Sequence, residues 1–314
     1  MKNILITGGC GFIASNFINY FLERHQQYKI INIDAMYYCA NEKNVNENIR
    51  TSNNYHFIEG SITNRQLVNL IFKTYEIDTI FHFAAQSHVD NSFSNPLQYT
   101  EDNIIGTHTL LECIREYGKI EKFIHVSTDE VYGENDGDIK NEKSILNPTN
   151  PYSATKAAAE MLVNSYVYSY GLPAIITRGN NVYGPRQYPE KLIPKFILAL
   201  KNDKKCTIHG EGKTERSFLY ISDVVRAFEL ILFKGELGEI YNIGTIKEYS
   251  VLDITKSLVK LIKNNDEIDD YIEYVEDRKY NDKRYFITCD KLIELGWEQE
   301  VYLDEGLKKT IEFY

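Results

Sequence analysis

Short apolar runs alternate with helical segments along most of the chain, and this alternation limits the fold more than any other feature. Runs such as Ile4-Leu5-Ile6 are apolar throughout, which is typical of strands buried on both faces. Strands separated by helices form right-handed βαβ units, so the pattern predicts an α/β protein with a doubly wound parallel sheet. The predicted strands are 4–7, 29–33, 55–58, 79–83, 123–126, 174–177 and 239–243, and the clearest predicted helices are 12–24, 64–75, 90–117, 151–170 and 222–233.

The length of the predicted segments and the composition of the sequence change near residue 178. Segments become shorter, and the stretch 179–189 is rich in glycine, proline and asparagine. We therefore predict a large domain and a smaller, discontinuous α/β lobe. The large domain comprises residues 1–178 with a returning segment at about 218–244, and the lobe comprises 179–217 and 245–314.

The balance of charge excludes two classes of partner. The 314 residues carry 35 basic and 45 acidic side chains, a net charge of −10, whereas binding to nucleic acids or anionic membranes requires a basic footprint.

Five scattered cysteines without a CxxC pair indicate reduced thiols in a cytoplasmic protein, and seven histidines without metal-binding spacing predict no metal site. No apolar stretch approaches the ~18 residues of a membrane span. The apolar N-terminal run breaks at Gly8-Gly9, too early for a secretory signal.

A glycine pattern joins the first predicted strand to the first predicted helix. Gly8-x-x-Gly11-x-x-Ala14 follows the strand directly, and Asp34 ends the second strand. Glycines here let the backbone approach a pyrophosphate at the helix N-terminus, and a carboxylate after the second strand accepts from a ribose 2′-hydroxyl. The pattern predicts a Rossmann-type domain that binds NAD rather than NADP. The other interpretation is a glycine turn with Asp34 as a helix or loop cap.

Tyr152 and Lys156 are four residues apart on the predicted helix 151–170, so they share one face of it. A tyrosine that acts as a base at neutral pH needs its pKa lowered by about 3, which corresponds to about 4 kcal/mol. One positive charge at ~4 Å supplies about that much at an effective dielectric of ~20. We therefore expect Lys156, helped by an oxidised nicotinamide, to lower the pKa of Tyr152.

Ser127-Thr128-Asp129-Glu130 follows the predicted strand that ends at Val126. Ligands bind beyond the carboxyl ends of strands in an open parallel sheet, so these residues are expected to face the cofactor. Neighbouring strand residues point to opposite faces, so Asp129 and Glu130 can serve one substrate only if the chain has already left the strand. Such a pair can supply a general acid and a general base, and a helix-capping acidic turn is the alternative.

Seven short segments, taken together, match one enzyme family along essentially the whole chain. The segments are GGxGFI at 8–13, FHFAAQSHVDNS at 81–92, STDEVYGE at 127–134, PYSATKAAAE at 151–160, NNVYGP at 180–185, PEKLIP at 189–194 and DRxxNDxRY at 277–285. In these segments the chain resembles the nucleotide-sugar 4,6-dehydratases, which are extended short-chain dehydrogenase/reductases. The joint match is specific, although no single segment is.

The resemblance implies a reaction in three stages. NAD takes a hydride from C4 of a hexose, water is lost across C5 and C6, and the hydride returns to C6 to give a 4-keto-6-deoxy sugar. By this resemblance Tyr152 is the base at the 4-hydroxyl, Lys156 tunes it and holds the nicotinamide ribose, and Thr128 hydrogen-bonds O4. Glu130 removes the C5 proton and Asp129 protonates the leaving 6-hydroxyl. Asp129 must therefore be protonated while Glu130 is ionised.

The resemblance also implies which residues surround the two ligands. Around NAD it places Gly8, Gly11, Phe12, Ile13, Asp34, Ser61, Ile62, Ala84, Ala85, Ser127, Tyr152, Lys156 and Val182. Around the nucleotide sugar it places Ser87, Thr128, Asn181, Lys191, Leu192, Arg216 and Arg278. Arginine forks suit a diphosphate. It further implies a homodimer through the helices at 90–117 and 151–170, although apolar helix faces alone also fit burial within one chain.

Residues that differ from those of the bacterial dTDP-glucose enzymes indicate which nucleobase the substrate carries. Those enzymes usually carry Gly, Asn and His where this chain has Ala14, Val251 and Asn281. These three residues instead resemble the UDP-glucose 4,6-dehydratase domains of rhamnose biosynthesis, so UDP-glucose is favoured and dTDP-glucose is the alternative. Uracil and thymine differ by one methyl group, worth ~1–3 kcal/mol, so one enzyme can use both. Ser61 replaces a usual Asp, which leaves its adenine contact open.

Other functions share parts of this pattern. A UDP-sugar 4-epimerase or a UDP-glucuronate decarboxylase needs the cofactor site, Tyr152 and Lys156 but no acid–base pair for dehydration, so Asp129-Glu130 favours a dehydratase. A non-catalytic NAD-binding protein would be free to lose these side chains, and all of them are present. We also expect any reductase that acts on the keto sugar to be a separate polypeptide, since the sequence ends at Tyr314.

Overall fold

The computed structural model describes residues 2–134, 138–276 and 284–314, so Arg278 and Asn281 lie outside the described residues. The strands are β1 (Asn3–Thr7), β2 (Lys29–Asp34), β3 (Tyr55–Glu59), β4 (Thr79–His82), β5 (Lys122–Thr128), β6 (Ala174–Gly179), β7 (Asn181–Tyr183), β8 (Cys206–His209), β9 (Glu215–Tyr220), β10 (Ile240–Ile243), β11 (Glu248–Ser250) and β12 (Ile272–Val275). The helices are α1 (Phe12–Arg24), α2 (Glu47–Arg50), α3 (Arg65–Tyr75), α4 (Val89–Ser94), α5 (Pro96–Tyr99), α6 (Gly106–Tyr117), α7 (Pro151–Tyr170), α8 (Leu192–Lys201), α9 (Ile221–Lys234), α10 (Val251–Lys263), α11 (Asp290–Glu294) and α12 (Leu303–Phe313). None of the helices in these three stretches is long and apolar enough to cross a membrane.

Seven of the strands form one parallel sheet in the order β10-β6-β5-β4-β1-β2-β3. The strand order changes direction between β1 and β4. At such a point the connecting helices leave toward opposite faces, and the loops after the two strands open a crevice at the carboxyl edge of the sheet. The predicted doubly wound, Rossmann-type α/β fold is therefore confirmed.

Both faces of the large sheet are buried, which explains its apolar strands. In β1, Ile4 and Ile6 belong to one hydrophobic core together with residues of α1 and α9, whereas Leu5 belongs to a second core with residues of α3, α6 and α7. Because successive side chains of a strand point to opposite faces, each strand must supply apolar residues to both cores.

Two small sheets lie outside the large one. β7 pairs in parallel with β9, β9 pairs antiparallel with β11, and β8 pairs in parallel with β12. α9 and β10 follow β9 in the chain and belong to the large domain: α9 packs on α1, and β10 pairs with β6 at the edge of the large sheet. This is the arrangement expected of the returning segment at about 218–244. The division into two domains with the boundaries given above stays a prediction.

The predicted helix at 90–117 consists of three helices, α4, α5 and α6. Asn95 breaks it because the residue before a proline, here Pro96, is disfavoured in helical conformation. A π-helical turn at Thr100–Ile105 joins α5 to α6. This turn carries the buried Asn103, whose amide accepts from the backbone N–H of Gln86 at 2.8 Å and donates to its carbonyl at 3.1 Å. The turn therefore holds the loop that follows β4.

The helix α7 has the predicted limits, and its ends are set by local signals. The Asn150 side chain accepts from the Ser153 N–H at 2.8 Å, the Ser153 hydroxyl contacts the Asn150 N–H, and Pro151 occupies the first turn. Gly171 ends the helix at a φ of +65°, a conformation that glycine adopts easily. These caps fix which face of α7 carries Tyr152.

Candidate active site

One cleft at the carboxyl edge of the large sheet collects most of the predicted site residues. All thirteen residues assigned to the cofactor line it. It is also lined by Ser87, Thr128, Asp129, Glu130, Asn181 and Lys191. The reactive side chains of α7 and those after β5 therefore face the same space as the glycine turn after β1.

Two predicted substrate residues do not line this cleft. Leu192 begins α8 and packs against the hydrophobic core. Arg216, on β9, donates to the Glu215 carbonyl at 2.8 Å and lies over the Tyr285 ring at 5.0 Å. The Arg216 charge still lowers the pKa of Asp129 and that of Glu130. Their contacts with substrate stay predictions, as does that of Arg278, which lies outside the described residues.

The turn after β1 has the shape of a phosphate cradle. Gly8 has a φ of +73°, and a Cβ there would lie 2.8 Å from the Cα of Ala84. Gly11 is the N-cap of α1, and the first turn of that helix has neither a side-chain cap nor an acidic residue. Its N–H groups and the positive end of the helix dipole are therefore available to an anion such as a pyrophosphate.

Asp34 has structural partners as well as a place in the cleft. Its carboxylate accepts from the Cys10 N–H at 2.9 Å and from the Met36 N–H at 2.8 Å, so it does cap the surrounding loops. Burial raises its pKa, and the two backbone donors oppose that shift. A carboxylate has about four acceptor positions, so these contacts leave room for a ribose hydroxyl. The loop-cap interpretation and the cofactor interpretation are compatible.

Two serine hydroxyls in the cleft differ in their partners. The Ser127 hydroxyl is buried and has no hydrogen-bond partner among the described residues, a costly state that a bound ligand would relieve. The Ser61 hydroxyl contacts Thr63 Oγ1 at 2.8 Å and accepts from the Thr63 N–H at 3.2 Å. The cradle and Ser127 fit a dinucleotide, whereas the Ser61 hydroxyl is used within its own turn.

Tyr152 and Lys156 both face the cleft, where negative charges act on the Tyr152 phenol. The Lys156 ammonium donates to the Val126 carbonyl at 2.8 Å, and burial lowers its pKa to about 8. Burial raises the pKa of Tyr152, the charges of Glu130 and Asp129 raise it further, and a hydrogen bond with Thr128 opposes them. The expected lowering of the Tyr152 pKa by Lys156 together with an oxidised nicotinamide stays a prediction, since the chain by itself raises that pKa.

The chain leaves β5 at Asp129, as two cooperating carboxylates require. A 3-10 turn spans Asp129–Tyr132, and both acidic side chains of it line the cleft. Thr128 is the cap of this turn, since its hydroxyl accepts from the Glu130 N–H at 3.3 Å and donates to Asp129 Oδ1 at 3.2 Å. Neither carboxylate is needed as the cap, which removes the alternative of a helix-capping acidic turn.

Two buried asparagines bind the carboxylates. Asn180 Nδ2 donates to Asp129 Oδ2 at 2.7 Å, and Asn150 Nδ2 donates to Glu130 Oε2 at 3.1 Å. Burial raises the pKa of both acids, and the Asp129 charge raises that of Glu130 further. Asp129 receives two side-chain donors and Glu130 one, and these donors oppose the effect of burial. The raised pKa values let both carboxyl groups exchange protons near neutral pH, as an acid–base pair requires.

Sequence reasoning missed these amides. Asn103, Asn150 and Asn180 lie among other polar residues, and no periodicity or spacing distinguishes them from solvent-exposed asparagines. Asn180 belongs to the NNVYGP segment, but the resemblance drew attention only to Asn181. Among the residues that the structure describes, no cluster of three or more His, Cys, Asp or Glu side chains is arranged to hold a metal ion.

Comparison with known proteins identifies the family of the chain. A sequence model of the family described as GDP-mannose 4,6 dehydratase matches residues 5–310. The whole chain is 54% identical to a trifunctional UDP-glucose 4,6-dehydratase/UDP-4-keto-6-deoxy-D-glucose 3,5-epimerase/UDP-4-keto-L-rhamnose-reductase of Arabidopsis thaliana and covers 47% of it. The chain thus spans about half the length of this plant relative. It is 50% identical to the human dTDP-D-glucose 4,6-dehydratase, with 100% of this chain and 90% of that protein covered.

The fold also matches solved structures. The dTDP-glucose 4,6-dehydratase of Bacillus anthracis, in complex with NAD, superposes with a TM-score of 0.92 at 39% identity, over 100% of this chain and 96% of that one. Because the family match covers nearly the whole chain, the chain belongs to the GDP-mannose 4,6 dehydratase family of short-chain dehydrogenase/reductases.

Proposed function

We propose that this protein converts a nucleoside-diphosphate glucose, preferably UDP-glucose, to its 4-keto-6-deoxy derivative with NAD as cofactor. The observation that carries the proposal is that one cleft contains Tyr152, Thr128 and the carboxyl groups of Asp129 and Glu130, both of raised pKa. Oxidation alone needs the first two. Elimination of water needs an acid and a base as well, and Asp129 and Glu130 supply both.

The glycine cradle and Asp34 would hold NAD through its pyrophosphate and adenine ribose, and Ser127 and Lys156 would hold its nicotinamide half. Bound there, NAD would accept a hydride from C4 of the sugar, return it to C6, and add a positive charge while oxidised. Lys156 is suited to this place because its ammonium lines the cleft and uses one of its three donors on the Val126 carbonyl, which leaves donors for ribose hydroxyls.

Tyr152 and Thr128 would act on the 4-hydroxyl. The Tyr152 phenol accepts the hydroxyl proton, and Thr128 hydrogen-bonds O4. The protein raises the pKa of Tyr152, so this tyrosine is a strong base once ionised and needs positive charge to ionise at neutral pH. The oxidation step is therefore tied to the presence of the cofactor in its oxidised form.

Glu130 and Asp129 would then remove water. Glu130 takes the C5 proton, and Asp129 gives a proton to the 6-hydroxyl as the C6–O bond breaks. After this step Glu130 is protonated and Asp129 is ionised. The raised pKa values of both groups suit this exchange, because each group must hold a proton at one stage and lose it at another.

The choice of UDP over dTDP rests on the pattern of relatives. Identity is 54% to the plant protein named for UDP-glucose and 50% to the human one named for dTDP-glucose. Ala14 and Val251 also follow the UDP-glucose type, and dTDP-glucose remains the second candidate. Ser87, Asn181, Lys191, Leu192, Arg216 and Arg278 are the proposed contacts of the nucleotide sugar. Lys191, whose ammonium donates to the Ser87 carbonyl at 3.0 Å, is suited to a diphosphate.

The test is product analysis. The purified protein is incubated with NAD and equal amounts of UDP-glucose and dTDP-glucose, and the 4-keto sugar is detected by its alkali-induced absorbance. We expect both products, with the UDP sugar in excess. If neither substrate gives a keto sugar, the protein is not a dehydratase. The remaining candidates are then a 4-epimerase, a decarboxylase and a non-catalytic NAD-binding protein.

We further propose a homodimer in the cytoplasm, with the nucleotide sugar bound between the large domain and the smaller lobe. The helices expected at the dimer interface expose large apolar side chains. These include Phe93, Leu97, Met161 and Tyr168. All five cysteines are free thiols, which suits a reducing compartment. Sedimentation of the wild type and of Leu97→Glu would test the dimer.

A further inference from the structure

Asn180 contacts a reacting group and has no role in the scheme above. Only 5% of its surface is exposed, its Nδ2 donates to Asp129 Oδ2 at 2.7 Å, and its Oδ1 accepts from the Thr245 N–H at 3.0 Å. A backbone N–H can only donate, so the atom that meets Thr245 must be the amide oxygen. The amide nitrogen must then face Asp129. A Cβ at Gly244 would lie 2.1 Å from Asn180 Oδ1, so a glycine is needed for this approach.

The fixed amide makes the two oxygens of Asp129 unequal. Oδ2 always faces a donor, whereas Oδ1 lies 3.2 Å from the Thr128 hydroxyl. A protonated carboxyl has one O–H and one carbonyl oxygen, and the carbonyl oxygen is the better acceptor. The protonated form of Asp129 therefore keeps Oδ2 as the carbonyl and carries its proton on Oδ1.

We propose that Asn180 is a positioning residue for the loss of water, because it holds Asp129 with the transferable proton on Oδ1. The proposal rests on the function proposed above. In this step Glu130 takes the C5 proton, and the electron pair of that bond forms the C5–C6 double bond. The C6–O bond breaks with its pair on oxygen, and the proton from Asp129 Oδ1 completes the water molecule.

The same oxygen allows Asp129 to regain its proton. After Glu130 has returned its proton to C5, Tyr152 still holds the proton of the 4-hydroxyl, and Asp129 lacks the one that left with water. The Thr128 hydroxyl hydrogen-bonds both Tyr152 and Asp129 Oδ1, so one transfer through it restores both groups. A proton is not needed on Oδ2, where Asn180 offers only a donor.

Several charged or titratable groups act on this pair from the surrounding elements. Glu130 lies on the same turn, Tyr152 on α7 and Arg216 on β9, and Lys191, just before α8, acts on Glu130. A substitution at Asn180 leaves all of them in place. Asn180→Asp keeps the shape of the side chain and an oxygen that accepts from the Thr245 N–H. It replaces the amide nitrogen that donates to Asp129 Oδ2 by an oxygen, so a proton must be shared between the new carboxyl group and Asp129 Oδ2.

The experiment separates oxidation from dehydration. NADH formed in a single turnover and keto sugar formed at steady state are measured for the wild type, Asn180→Asp and the control Asn19→Asp. Asn19 is also 5% exposed and bridges two backbone groups, with its Oδ1 accepting from Asn46 at 2.8 Å and its Nδ2 donating to Asn44 at 2.9 Å. We expect Asn180→Asp to form NADH normally and to lose about 10²-fold in product, a typical contribution of general acid catalysis. The control should keep both rates.

Asn180→Ala repeats the test without a new charge. Loss of a donor that stabilises the ionised form raises the pKa of Asp129, so the acid stays protonated to higher pH and the alkaline limb of kcat moves up. Wild-type product formation by Asn180→Asp, an equal loss of both steps, or an unmoved alkaline limb in Asn180→Ala would overturn the proposal. If the wild type itself makes no keto sugar from UDP-glucose or dTDP-glucose, the proposed function fails instead.

Discussion

Two pairs of reactive side chains share the cleft, and different kinds of structure position them. Tyr152 and Lys156 lie on one helix whose caps are encoded within twenty-two residues of sequence, from Asn150 to Gly171. Asp129 and Glu130 lie on a single short turn, and their carboxylates are held by Asn180 and Asn150, residues 51 and 20 positions away. The helix pair is thus set by local structure, whereas the acid–base character of the turn pair depends on tertiary partners.

The largest effect is expected at the helix pair. Tyr152→Phe removes the group that accepts the 4-hydroxyl proton, so NADH formation in a single turnover should fall by about 10²–10⁴-fold. Stopped-flow absorbance of NADH measures this step. Tyr302→Phe, at a position that is 57% exposed and outside the proposed dimer helices, is the control and should be unchanged. Near-wild-type oxidation by Tyr152→Phe would overturn its assignment as the base.

A comparable loss, confined to the later step, is expected at the turn pair. Glu130→Gln cannot take the C5 proton, so it should oxidise the sugar and stop, with NADH accumulating and keto-deoxy product reduced by about 10²–10⁴-fold. Both species are followed in one reaction. Glu121→Gln, at an exposed position, serves as control. If Glu130→Gln forms no NADH, Glu130 does not act after the hydride step, and the two pairs are not separate in function.

A buried ion pair joins the two regions. Arg178 donates to Glu160 of α7 at 2.6 Å, and these side chains are 3% and 0% exposed. The same guanidinium donates to the hydroxyl of Tyr132, the last residue of the acidic turn, at 2.8 Å. One arginine thus connects the helix that carries Tyr152 with the turn that carries Asp129.

Breaking this connection should cost stability. Glu160→Gln leaves the buried Arg178 charge uncompensated, and we expect the free energy of unfolding to fall by about 3–5 kcal/mol, measured by urea denaturation. The double variant Glu160→Leu with Arg178→Met removes both charges and should recover much of that loss. A fall of less than about 1 kcal/mol for Glu160→Gln would mean that the pair behaves like one at the surface.

The smallest effect is a shift in pH dependence. Asn150→Ser keeps an N-cap for α7 but loses the donor to Glu130. A donor to the ionised form lowers the pKa, so its loss raises the pKa of Glu130, and the acidic limb of kcat should move up by about one pH unit. Asn64→Ser, which makes the same change at the N-cap of α3, where the side chain accepts from the Leu67 N–H and not from either acid, is the control. A shift to lower pH, or none, would show that Asn150 does not tune Glu130.

Much of the fold follows from the sequence. The limits of α1 and α7 agree with the predicted ones at both ends, because apolar spacing, a proline in the first turn of α7 and a terminal glycine act within a few residues of the chain. The glycine turn and Asp34 were predicted for the same reason. The π-helical turn at Thr100–Ile105 was not, because it depends on where Asn103 finds partners in the folded protein.

The sequence by itself determined the α/β fold, the NAD-type cradle and the identity of the candidate reactive side chains, since these depend on local spacing and on segments that match a family. Only the tertiary structure decided the surroundings that shift the pKa values of those side chains. It turned the Lys156 ammonium toward the Val126 carbonyl, raised the pKa of Tyr152, and brought Asn180 and Asn150 to the two acids. Burial and hydrogen bonding set a pKa, and both depend on groups that are distant in sequence and adjacent only after folding.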